Sequence, residues 1–134
     1  MRLILDASVA VAAVRSNEPS HAASRARISR VLAGDDEIAV PAIFAIEVGA
    51  SLARVGESAD AVCAYVDALM SVAATVATIG PSRARRIRDV AIASKLRAAD
   101  ATYVWLAAQE GAPLCTLDKE MTQRCGAYCR VIPP

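Results

Sequence analysis

Short apolar runs alternate with longer helical stretches along the whole chain, and this alternation constrains the fold more than any other feature. Arg2-Leu3-Ile4-Leu5 runs into Asp6, and Ala7 to Val14 then reads as a helix. Ser20 to Leu32 has helical spacing of apolar residues with arginines between them, and Gly34 follows as a stop signal. Glu37 to Val40 is a short strand, and Pro41 suits the first turn of a helix reaching about Val55. Ser58 to about Val72 is helical, while Thr75 to Ile79 is β-branched enough for a third strand. Pro81 opens a helix through Leu96, and a further helix runs from about Ala99 to Glu110. Leu114 to Leu117 and Tyr128 to Ile132 read as strands on either side of a short helix begun at Asp118. The pattern predicts an α/β fold: a short parallel sheet flanked by helices on both faces. With 134 residues, 55% of them hydrophobic, it predicts a single domain over 1–134. In such sheets ligands sit outside the carboxyl ends of the strands, so acids at those ends carry the most information.

Charge and composition remove several functions. Fifteen basic residues against fourteen acidic ones leave +1 overall, which offers no bulk attraction to nucleic acid or membranes. Five aromatic residues are too few for stacking platforms along single-stranded nucleic acid. Asp6 interrupts the first apolar run before a signal-peptide core forms, and no segment reaches the roughly 20 apolar residues of a membrane helix, so a soluble, cytoplasmic protein is expected. Cys63, Cys115, Cys125 and Cys129 lack zinc spacing and are expected to be reduced core thiols.

Four carboxylates stand out. Asp6 and Asp118 each end a strand, where helix capping is the plainest role for an Asp. Glu47 has Ile43, Phe44, Ala50 and Ser51 three and four positions away, so a charge sits on a largely apolar face and needs a partner, either an arginine or a metal ion. Asp100 can cap a helix, but Tyr103 three residues on gives no capping box. Converging on one sheet edge, four such acids form a hard-oxygen site of the kind that holds Mg²⁺ or Mn²⁺ for phosphoryl transfer.

The ordered set Leu-Asp6-Ala-Ser8-Val, Pro41 to Glu47, Ala-Asp100-Ala-Thr-Tyr-Val-Trp-Leu-Ala and Leu-Cys-Thr116-Leu-Asp118 resembles the PIN-domain nucleases, especially VapC-type toxins of prokaryotic toxin–antitoxin pairs. The resemblance spans essentially the whole chain. It implies a PIN-like three-layer fold and a Mg²⁺- or Mn²⁺-dependent ribonuclease with Asp6, Glu47, Asp100 and Asp118 as catalytic and metal-binding acids. Asp6 and Asp100 would be the principal ligands, with Ser8 and Thr116 in support. It further implies a homodimer, products with 5′-phosphate and 3′-hydroxyl ends, and a cognate antitoxin whose arginine reaches the acidic pocket.

Other readings fit less well. A receiver-type signalling domain needs an acidic pair after the first strand, and an Asp-nucleophile phosphatase needs a second Asp where Ser8 stands. A catalytically inert PIN-like binding module would fail to bind divalent metal, and a DNA-directed nuclease of the same superfamily would differ in substrate preference. Arg83, Arg85, Arg86 and Arg88 crowd one helix and either grip phosphates or form a solvated face, with Arg85 spaced to pair with Asp89. Arg15 carries the same ambiguity. His21, the only histidine, excludes any scheme that needs a His pair and reads as a surface residue.

Overall fold

The computed structural model describes all 134 residues. In chain order the elements are β1 (Arg2–Leu5), α1 (Ala7–Ala12), α2 (His21–Ala33), β2 (Glu37–Pro41), α3 (Ile43–Arg54), α4 (Ala59–Val72), β3 (Thr75–Ala77), α5 (Pro81–Ser94), α6 (Ala98–Glu110), β4 (Leu114–Cys115), α7 (Lys119–Arg124) and β5 (Val131–Ile132). The strands form one sheet in the order β3-β2-β1-β4-β5, and every pairing is parallel.

Leu3, Ile4 and Leu5 on β1, and Ile38, Ala39 and Val40 on β2, are all fully buried. Successive strand residues point to opposite faces, so burial of consecutive residues means that both faces are covered. Helices α1 to α4 pack on one another, while α5 pairs with α6, and α6 lies against β1, β2 and β4. Ala101 through Ala107 are all buried, so α6 is enclosed on every side. The result is the expected three-layer fold.

From β1 the chain steps outward to β2 and β3, then returns past β1 to build β4 and β5 on the other side. The order therefore reverses between β1 and β4. At such a switch point the loops leaving two neighbouring strands diverge and open a crevice at their carboxyl ends.

Several boundaries differ from expectation for local reasons. Pro41 belongs to β2, and α3 begins only at Ile43. Ala42 N–H bonds Ala77 O at 2.9 Å, so the neighbouring Pro41 nitrogen faces β1, where the ladder has already ended at Ile4 and Ala39. A missing donor costs nothing there. Strand β4 stops at Cys115, and Thr116 and Leu117 form a loop instead. Strand β5 shortens to Val131–Ile132 because Tyr128 and Cys129 N–H groups turn back onto Cys125 O. Helix α1 ends at Ala12, two residues early. Gly34 closes α2 with φ +83, a conformation that glycine adopts freely.

Surface expectations also shift. Asp89 pairs with Arg88 at 2.8 Å and not with Arg85. Arg83 donates to Thr78 O at 2.7 Å and lies over the Trp105 ring, which ties it to the fold. His21 is half-buried, with Nδ1 2.9 Å from Ala12 O. The four cysteines are free, but Cys63 is exposed on α4, so only Cys115 and Cys125 are true core thiols. No helix is long and apolar enough to cross a membrane.

Candidate active site

The crevice at the carboxyl edge holds a cavity of about 360 Å³. Asp6, Glu47, Asp100 and Asp118 all line it. They arrive from four places: the β1–α1 junction, the middle of α3, the first turn of α6 and the start of α7.

Asp6 is only 5% exposed. Its backbone N–H bonds Cys115 O at 3.0 Å, which fastens the residue to β4. Although it stands at the N-cap of α1, its side chain makes no capping hydrogen bond. Instead Oδ2 accepts two hydroxyl protons, from Ser8 at 2.5 Å and from Thr116 at 2.8 Å. Each hydroxyl is itself oriented from behind. Leu117 N–H donates to Ser8 Oγ at 3.1 Å and Asp118 N–H donates to Thr116 Oγ1 at 3.0 Å. A hydroxyl has a single proton, so once a backbone N–H points at its oxygen, that proton is left for Asp6. Ser8 and Thr116 thus lock the Asp6 carboxylate across the β1–β4 crevice.

Asp118 does cap its helix: Oδ1 accepts Met121 N–H at 2.8 Å. The cap fixes the side chain while its second oxygen stays available. Asp100 is not a cap, because Arg97 occupies that position and Asp100 stands on the first turn of α6. Glu47 is half-buried on α3, and no arginine pairs with it. Its Oε2 accepts the Tyr103 hydroxyl at 2.5 Å.

The electrostatics share one sign. Burial raises the Asp6 pKa above its ordinary value, opposed by the Ser8 and Thr116 hydroxyls, with Asp118 adding repulsion. Burial likewise raises Glu47, against the Tyr103 hydrogen bond, and Asp6 and Asp100 add to the rise. Asp100 is pushed up to about 6, first by burial and then by Asp118 and Asp6, with Arg97 offsetting part of the effect. None of the four enters an ion pair. Uncompensated carboxylates raise one another's pKa, and a cation among them reverses that. No three of them stand as a closed ligand cluster. The donor set itself, all carboxylate oxygen and short of positive charge, suits a hard divalent ion.

Two contributors escaped the sequence reading. Tyr103 is fully buried, and its hydroxyl needs an acceptor; a tyrosine one turn after Asp100 on an otherwise apolar helix is the signal that could have found it. Glu18 also lines the cavity, from the loop after α1, where no periodicity points to it.

Comparison with known proteins agrees with this architecture. Residues 3–126 match the family described as PIN domain. The fold is similar to VapBC2 from Rickettsia felis bound to a DNA fragment from its promoter, with TM-score 0.71, 15% identity, and coverage of 100% of this chain and 99% of that one. It is also similar to FitAcB from Neisseria gonorrhoeae, with TM-score 0.69, 16% identity, and coverage of 98% and 97%. PAE2754 from Pyrobaculum aerophilum gives TM-score 0.69 at 20% identity, covering 99% and 92%. No curated protein matches the sequence.

Proposed function

The chain belongs to the PIN domain family, and from that premise we propose that it is a Mg²⁺- or Mn²⁺-dependent ribonuclease, the toxin of a toxin–antitoxin pair. The observation that carries this reading is the convergence of four carboxylates from four separate elements on one cavity, with no basic side chain bonded to any of them. An empty acid cavity repels a phosphodiester, so the arrangement makes chemical sense only with a cation between acid and substrate.

Bound divalent ions would supply a water activated near neutral pH, orient the phosphodiester and neutralise charge on the leaving oxygen. Asp6 and Asp100 would be the principal ligands, with Glu47 and the uncapped oxygen of Asp118 completing the set. The protein's own contribution is orientation. Ser8 and Thr116 hold Asp6 through Oδ2 and leave Oδ1 directed to the ligand, while Tyr103 holds Glu47. Side chains held by a second layer of hydrogen bonds keep their geometry as charge changes in front of them.

The antitoxin is part of the proposal, supported by similarity to the VapBC2 and FitAcB folds. So are the homodimer and the cytoplasmic location.

The test is cleavage of end-labelled structured RNAs and single-stranded DNA in Mg²⁺, Mn²⁺ or EDTA, with Asp6→Asn and Asp100→Asn alongside. RNA cut only with metal, and by neither folded variant, is the expected result. DNA cut in preference to RNA would correct the substrate. No cleavage together with no divalent binding in a metal titration would overturn the reading in favour of an inert binding module.

A further inference from the structure

A second cavity, of about 330 Å³, adjoins the acid one and is lined by Val11, Arg15, Ser51, Arg54 and Val55. Val11 and Ser51 line both, so the two form one continuous surface. Its sign reverses along that surface: carboxylates at one end, two guanidiniums at the other. Arg54 closes α3 and enters no ion pair. Arg15 bonds Glu18 at 2.9 Å, with both side chains about one-third exposed, and such a pair is weak enough to yield to a stronger anion. The arginines of α5 line neither cavity.

We propose that Arg15 and Arg54 form a phosphate-binding subsite, which holds a backbone phosphate of single-stranded RNA neighbouring the one positioned over the carboxylates. A polyanion brought to an acidic centre needs cationic anchors on the adjacent nucleotides, since the centre alone offers repulsion. Planar guanidiniums meet phosphate oxygens in a bidentate fork, and phosphate contacts set register without reading sequence. The overall charge of +1 supplies no general attraction, so a local pair of this kind carries it. The assignment rests on the nuclease reading, but it can be tested apart from it.

The measurement is fluorescence anisotropy of a labelled single-stranded RNA oligonucleotide against salt, in EDTA so that nothing is cleaved. Wild-type protein is expected to bind at low salt, with log affinity falling linearly in log salt. Arg15→Ala with Arg54→Ala should weaken binding roughly tenfold and reduce the salt slope by about 0.7 per arginine lost, the single-strand value per phosphate. Arg54→Lys should keep most of the slope, and Arg85→Ala on α5 should change neither quantity. An unchanged slope in the double variant, which an acidic protein segment as the true occupant would produce, overturns the subsite. So does failure of the wild type to bind. Arginine-dependent binding without cleavage under any metal would retain the subsite and sink the nuclease. Metal-dependent cleavage with KM unchanged in the double variant would do the reverse.

Discussion

Asp6 and Asp36 are both buried carboxylates on the two central strands, yet they sit at opposite edges of the sheet and are treated in opposite ways. Asp36 precedes β2 at the amino edge and is gripped by Arg27 at 2.8 Å and by Arg30 at 2.8 and 3.1 Å. The Arg30 hydrogen bonds, helped by Arg27 and opposed by burial, hold its carboxyl far below the usual range. Asp6 receives only two neutral hydroxyls and faces three further acids across a cavity, so its pKa rises. One charge is compensated within the chain and the other is left open. The difference separates a carboxylate kept for the fold from one kept for a ligand.

Exchanging each charge for a neutral isostere breaks this comparison most sharply. Asp6→Asn is expected to lower RNA cleavage on the order of 10³-fold, about 4 kcal/mol of transition-state stabilisation. It should leave unfolding in urea unchanged or slightly delayed, because a repelling charge disappears. Asp36→Ala should do the opposite. It strands two arginines and is expected to cost about 2–3 kcal/mol, below the full value for a buried pair because Arg30 is half-exposed. The urea midpoint should fall at constant m, while cleavage per folded molecule persists. If Asp36→Ala abolished activity at full stability, the division of roles would be wrong.

Smaller effects sharpen the contrast. Tyr103→Phe removes the donor to Glu47 without opening a cavity, and should reduce cleavage about 5–10-fold and raise the Mg²⁺ concentration for half-maximal rate. Circular dichroism should show the fold intact.

The pH dependence of stability should be the mildest signature, and its sign differs between the two edges. Asp100 rises from 3.8 to about 6 on folding, so between those values the folded protein binds more protons than the unfolded one. Stability in EDTA therefore increases as pH falls from about 7 towards 4, and saturating Mg²⁺ should flatten that rise. Asp36 titrates low, so its contribution is complete above pH 3.8 and is lost only as pH falls further. Urea unfolding at pH 7, 5 and 3, with Asp100→Asn for reference, should give a maximum near the middle that the variant diminishes.

The sequence made much of this legible. Strand and helix order could be read because every strand is a short apolar run closed by an acid or a breaker, and the acids Asp6 and Asp118 announce themselves by following strands. Glu47 was visible as a charge on an apolar helix face. What escaped was partnership across distance. Tyr103 lies 56 positions from Glu47, and Leu117 lies 109 from Ser8. Spacing rules reach only as far as one turn of a helix or one step of a strand. Asp36 escaped for a related reason: its arginines stand 6 and 9 positions upstream, joined to it through the turn after α2. Pro41 misled because a missing N–H suits a strand end as well as a helix start.

The two oriented hydroxyls on Asp6 have one more consequence. With both of their protons directed to Oδ2, that oxygen has little room to carry a proton of its own, so protonation of Asp6 falls on Oδ1, the oxygen left for a metal. Acid and ion then contend for the same lone pairs, and loading the site amounts to an exchange of one for the other. Losing either hydroxyl would give the proton a second place to reside and uncouple that exchange, leaving the enzyme's metal affinity less sensitive to acidity while every carboxylate stayed where it is.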